Sequence, residues 1–187
     1  MNILFLNGSP RPNSNTRAAL EAIAKGMQEK NPTAAIKILN VSEFHIAPCH
    51  ACDSCQKNGG TCVIHDDTPA IVQEIVDADL IIFGSPVYWW GISSQLKMVL
   101  DRSYARAADL MQAKKSIGSV AVGGAELDDP EYRIIRDQFR CIGDYLGYCT
   151  LFHESISAGE AGELAMREQE LIRLQTTGSN AMKDLGF

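Results

Sequence analysis

Residues 3 to 16 read Ile3-Leu4-Phe5-Leu6-Asn7-Gly8-Ser9-Pro10-Arg11-Pro12-Asn13-Ser14-Asn15-Thr16. The first four form an unbroken apolar run, the pattern of a strand buried on both faces. Asn7-Gly8 ends the run, and Ser14 or Asn15 is placed to cap a helix. That helix would carry Ala19, Leu20, Ile23, Ala24 and Met27 on one stripe. A doubly buried strand that passes through a polar turn into an amphipathic helix opens a parallel α/β unit.

The same alternation continues along the chain. Strands are expected at Ala35–Leu39, Leu80–Phe83, Ser116–Val122 and Tyr148–Ile156. Thr68-Pro69 supplies an N-cap and a proline at the first helical position, opening a helix through Val76. Further helices are expected from Ser94 to about Arg102 and after Pro130, where Tyr132, Ile135, Phe139 and Ile142 share a stripe. A terminal helix is expected from about Glu160 to Lys183. Parallel strands need crossovers and crossovers are right-handed, so the pattern predicts an α/β fold, a doubly wound five-stranded parallel sheet with helices on both faces. The length of 187 residues fits one domain spanning 1–187. Such a domain buries roughly 70% of its unfolded surface and needs no staples.

Composition narrows the function. Apolar residues make 45% of the chain and charged residues 21%, which excludes a disordered chain. No apolar run is long enough to cross a membrane, and the N-terminus lacks the basic and small-residue regions of a secretory signal. The net charge of -6 without a Lys/Arg run argues against nucleic acid and anionic membranes as partners. With no secretory signal the six cysteines are expected to be reduced, in a cytoplasmic protein.

In an open α/β sheet ligands bind beyond the carboxyl ends of the strands. Three segments fall there. The Gly8–Thr16 loop offers hydroxyls, a guanidinium and backbone N–H groups at a helix N-terminus, the parts of a phosphate cradle. It has neither the Gly-Lys-Ser/Thr of a Walker loop nor G-x-G-x-x-G. After the third strand, Gly84-Ser85-Pro86-Val87-Tyr88-Trp89-Trp90-Gly91 places three aromatic side chains where a flat ring could lie. Gly123-Gly124 after the fourth strand allows close backbone approach. A phosphate at one end and a planar ring at the other describe FMN.

Asn7-Gly8-Ser9-Pro10-Arg11, Ser14-Asn15-Thr16, Gly84 to Trp89, and Lys97 with Asp101-Arg102 together resemble the flavodoxin-like NAD(P)H-dependent FMN reductase family, over residues 1 to about 124. The resemblance implies that Ser9, Arg11, Ser14, Asn15 and Thr16 hold the FMN phosphate. Pro86, Val87, Tyr88 and Trp89 would line the ribityl chain and ring, and Gly123 and Gly124 would approach the ring. Lys97, Asp101 and Arg102 are read as structural or interface residues. No catalytic side chain is named, because the cofactor carries the chemistry.

Asn40 to Asp67 is long and non-periodic, and it contains Cys49, Cys52, Cys55 and Cys62 within an insert at about 43–66. The spacing Cys-x2-Cys-x2-Cys-x6-Cys suits a cubane cluster better than a zinc ion, which prefers separated pairs. It is similar to the cysteine motif of the iron–sulfur flavoprotein subgroup, which implies a 4Fe–4S cluster, with Gly59-Gly60 folding Cys62 back. Metal-free cysteines, or zinc with His45, His50 and His65, are the alternatives. Cys141 and Cys149 are expected to be small buried hydrophobes.

The expected function is an oxidoreductase passing electrons from NAD(P)H through FMN to a flavin, quinone or other small-molecule acceptor. The alternatives are a flavodoxin-type electron carrier, a cluster-free reductase, and a non-redox anion- or zinc-binding module. A homodimer or homotetramer is expected, since a monomer would leave the aromatic edge exposed.

Overall fold

The computed structural model describes residues 1–187. Five parallel strands, β1 (Asn2–Asn7), β2 (Ala35–Asn40), β3 (Leu80–Pro86), β4 (Ser116–Gly123) and β5 (Cys149–Ser157), form one sheet in the order β2-β1-β3-β4-β5. This is the flavodoxin-type order that the family resemblance implies, with its reversal between β1 and β3. There the Gly8 N–H donates to the Gly84 carbonyl at 2.8 Å.

The helices are α1 (Asn15–Lys30), α2 (Ser54–Lys57), α3 (Thr68–Asp77), α4 (Ser94–Arg102), α5 (Ala107–Gln112), α6 (Pro130–Leu146) and α7 (Glu168–Asp184). β1 shows how the sheet divides the core. Ile3 and Phe5 pack on one face with Leu20, Ile23 and Met27 of α1 and Leu174 and Met182 of α7. Leu4 and Leu6 pack on the other with Ile71 and Ile75 of α3, Leu96 of α4 and Phe139 of α6. Because both faces are covered, β1 and β3 read as continuous apolar runs. Phe139 stacks on Phe83 at 4.9 Å between centroids, anchoring α6 to the sheet.

Two expectations need correction. The terminal helix begins at Glu168, not near Glu160; a 3-10 turn at Glu163–Met166 precedes it, and Gly162 at φ 78 breaks the path. Cys141 and Cys149 are exposed rather than buried. Cys141 lies two residues beyond Phe139, about 200° round the helix from the buried stripe. Cys149 begins the edge strand β5.

Candidate functional site

The loop after β1 is held by its own side chains. Ser9 N–H donates to the Asn7 amide oxygen (3.1 Å), and Arg11 N–H donates to Ser9 Oγ (3.3 Å). Ser14 caps α1 by accepting from Arg17 N–H at 3.1 Å. These bonds turn the chain over the start of α1, where the helix dipole favours an anion. The resulting cavity of about 170 Å³ is lined by Ser9, Arg11, Ser14, Asn15 and Thr16 on one side. Pro86, Val87, Tyr88, Gly123 and Gly124 line the other. The structure thus brings together ten of the eleven residues that the sequence singled out for a cofactor. Arg11 is the one charged residue among the cavity's lining and has no ion-pair partner. A free guanidinium, hydroxyls and a helix N-terminus match the doubly charged phosphate of FMN, so the residues present fit that group.

The eleventh residue stands apart. Trp89 is 93% exposed and lines an adjoining pocket with Val87, Tyr88, Trp90 and Glu131. Tyr88 N–H donates to the Gly91 carbonyl (2.9 Å) and Gly91 N–H to the Tyr88 carbonyl (3.0 Å), closing a two-residue hairpin. Its central residues Trp89 and Trp90 sit at φ 49 and 58, a conformation that normally selects Asn-Gly. Holding two tryptophans there costs on the order of 1–3 kcal/mol each, and such strain concentrates at functional sites. Below the tip, Ser85 Oγ accepts from Ser93 N–H (2.9 Å), and Ser93 Oγ accepts from Leu96 N–H to start α4.

Sequence reasoning missed one wall of the cavity. Ala158, Gly159 and Ala161, which follow β5, close it beside Gly123-Gly124, where the Ala158 N–H donates to the Gly123 carbonyl at 2.7 Å. Asn15 holds that wall through its side-chain amide, so its side chain is committed to the protein. Asn13 and Val122 also line the cavity. Only the pairing of β4 with β5 brings the last wall into place, so no local signal marked it.

The cysteine insert is tied down at its base. Asp66 forms a bidentate pair with Arg102 (2.7 and 3.1 Å), both side chains essentially inaccessible. It also accepts from Ala47 N–H and Thr68 N–H. Burial alone would raise the Asp66 pKa, but Arg102 and these N–H groups hold it well below the usual carboxylate range. Arg102 also donates to the carbonyls of Ala47 and Ile64, so a structural role is what its contacts describe.

Beyond this base, Cys49 and Cys52 are exposed and Cys55 and Cys62 half-buried. Ala51 (φ 52) and Asp53 (φ 55) turn the backbone sharply between the first three. The Ser54 hydroxyl and N–H draw the Cys52 thiol below its ordinary pKa, towards the thiolate form that ligates metals. Four thiols from one segment suit an iron–sulfur cluster chemically. Their placement does not gather them: no three Cys, His, Asp or Glu side chains stand together as a metal site. The zinc alternative with His45, His50 and His65 lacks such a group equally.

A flavodoxin-type sheet with an anion cradle at its switch point and an aromatic pocket beside it defines a flavoprotein-like α/β protein. Residues 1–132 match the family of NADPH-dependent FMN reductases, and the chain belongs to that family. An iron–sulfur flavoprotein of Methanocaldococcus jannaschii is 42% identical over 130 residues, covering 67% of this chain and 63% of the relative. The chain thus matches somewhat less than two thirds of that relative's length. An iron–sulfur flavoprotein of Methanosarcina thermophila is 28% identical over 98% of this chain and 93% of the relative. Among solved structures, an NAD(P)H:quinone oxidoreductase from Methanothermobacter marburgensis superposes with a TM-score of 0.73 at 20% identity, over 96% of this chain and 98% of that one. No helix is long and apolar enough to cross a membrane.

Proposed function

We propose that the chain is an FMN-dependent oxidoreductase that takes electrons from NAD(P)H and delivers them to a small planar acceptor such as a flavin or quinone. The observation that carries this reading is the single unpaired cation, Arg11, in a cavity walled by Ser9, Ser14, Thr16, Tyr88, Gly123 and Gly124. Arg11 and the N-terminus of α1 bind the phosphate. Val87, Tyr88 and the Gly123-Gly124 backbone orient the ring, and Trp89 and Trp90 shield its outer edge from water. Bound FMN supplies the redox chemistry. Replacing Arg11 by Ala is expected to weaken FMN binding by about 1.5–3 kcal/mol, the range for a charge-assisted hydrogen bond. Unchanged affinity in a fluorescence titration of the apoprotein would place the phosphate elsewhere. Bleaching of bound flavin by NADPH under anaerobic conditions separates the enzyme from an electron carrier of the flavodoxin kind.

The spacing of Cys49, Cys52, Cys55 and Cys62 and the names of the relatives support a second element of the proposal, a 4Fe–4S cluster on these four thiols. Holding it would require the exposed part of the insert to close. About four iron and four sulfide per chain after anaerobic reconstitution, falling in Cys55→Ala, is the expected result. We further place the protein in a homo-oligomer. Exposed Trp89 and Trp90, and a groove of about 880 Å³ in which Cys49, Tyr104, Cys141 and Tyr145 take part, leave apolar surface that a second copy would cover. Sedimentation of a 20.4 kDa species at micromolar concentration would reject this.

A further inference from the structure

We infer that Glu131 is the proton acceptor of the flavin site, taking up a proton when negative charge arrives on the ring. The inference rests on the FMN reading above. Glu131 stands in the first turn of α6 and is the one acidic residue lining the aromatic pocket, whose other walls are Val87, Tyr88, Trp89 and Trp90. Val87 and Tyr88 also line the cradle, so the carboxyl sits where a ring extending from the cradle would end. Its Oε1 is buried and has no hydrogen-bond partner, which is unusual for a carboxylate oxygen. That atom packs directly over Gly123, where a Cβ would overlap it. The absence of a side chain at Gly123 is thus what admits the carboxyl to this position.

The surroundings determine what such a carboxyl can do. Burial raises its pKa, and the neighbouring Asp129 raises it further. The Ala125 backbone and Tyr132 act in the opposite direction. Tyr132 is itself held neutral by burial, with its pKa pushed up to about 12, and its hydroxyl donates to the Ala125 carbonyl at 3.0 Å. Tyr88 faces the group across the pocket, and no cation lines that pocket. The nearest charged residue of the cradle is Arg11, at the phosphate end. Added negative charge would therefore meet no fixed positive charge at this end, and the cheapest compensation is a proton on Glu131. The step balances: NAD(P)H delivers two electrons and one proton as hydride, the site gains one negative charge, and the Glu131 carboxylate takes one proton from solvent.

The test compares the pH dependence of the flavin midpoint potential in the wild type and in Glu131→Gln, with FMN affinity measured alongside. Wild type is expected to bend from two protons per two electrons to one as the pH rises through the titration of Glu131 in the reduced site. Glu131→Gln should lose that bend, and Glu131→Asp should restore it at a displaced pH. A reduced-minus-oxidised infrared spectrum of wild type carrying 13C-labelled glutamate should show a new protonated carboxyl band. Identical pH curves in wild type and Glu131→Gln, or no carboxyl change in the infrared spectrum, would overturn the inference. Failure of the protein to bind FMN at all would instead overturn the cofactor reading on which it rests.

Discussion

Asn15 reaches across the sheet to Glu160: its side-chain amide donates to the Glu160 carbonyl at 2.7 Å, although 145 residues separate them. The same amide donates to the Ala158 carbonyl (3.0 Å), and its oxygen accepts from Leu164 N–H (3.0 Å). One buried side chain thus joins the first turn of α1 to the segment after β5, and that segment walls the cavity at the start of α1. Asn15→Ala would leave the Ala158 carbonyl and the Leu164 N–H without a partner, while the Glu160 carbonyl keeps its bond from Glu163 N–H. The substitution is expected to lower stability by about 2–4 kcal/mol, because each unsatisfied buried group costs on the order of 1–3 kcal/mol and water can reach some of them. FMN affinity should fall with it. Urea denaturation and a flavin titration on the same variant check both.

Asp66→Asn is expected to cost about 3–5 kcal/mol, the range for breaking a buried ion pair and leaving Arg102 without its counter-charge. The pH dependence follows from the direction of the shift. The folded pKa of Asp66 is depressed, so its stabilisation is present above the unfolded value of about 3.9 and is lost as the pH falls through the folded value. The stability gap between wild type and Asp66→Asn should therefore be full at pH 7 and narrow below about pH 4. Chemical denaturation at both pH values measures it. A gap independent of pH would mean that Asp66 is not ionised in the folded protein.

The tryptophan hairpin makes a prediction of opposite sign. Replacing Trp89 and Trp90 together by Asn and Gly supplies the residues that a turn with two positive φ values prefers. Trp89 is almost wholly exposed and Trp90 half-exposed, so the packing lost is mainly that of one side of Trp90 and offsets only part of the relieved strain. The double variant should be more stable by about 1–3 kcal/mol, with weaker binding of planar acceptors. Thermal unfolding and steady-state kinetics, with KM for the acceptor read separately from kcat, distinguish the two effects. A destabilised variant would show that the aromatic tip packs on something in solution.

Gly26→Ala is expected to destabilise the protein even though alanine is the better helix former by about 1 kcal/mol. A Cβ on Gly26 would overlap the Gln175 backbone of α7, while one on Gly178 would overlap the Ile23 carbonyl of α1. The two helices touch backbone to backbone, so neither can yield by rotating a side chain. A net loss of about 1–3 kcal/mol in denaturation is the expected outcome. A gain would mean that the helices separate freely.

Much of this architecture follows from patterns that span only a few residues. The apolar runs Ile3–Leu6 and Leu80–Phe83 require strands covered on both faces, because only a doubly covered strand buries every residue. Ser14 and Pro130 mark helix starts through bonds and backbone angles that lie within one turn of themselves. The cradle residues were legible for the same reason: strand, loop and helix follow one another in the chain, and the strand order places their ends together. Other features depend on partners far away in sequence. The Asp66–Arg102 pair spans 36 residues, the Asn15 bond to Ala158 spans 143, and Glu131 meets Trp89 only because β3 and β4 are adjacent. The late start of α7 belongs here as well, since Asn15 binds the backbone of residues 158 to 164 before a helix can form. Hydrogen-bond satisfaction of buried groups is a condition on the whole packed chain, whereas periodicity and capping are conditions on neighbours.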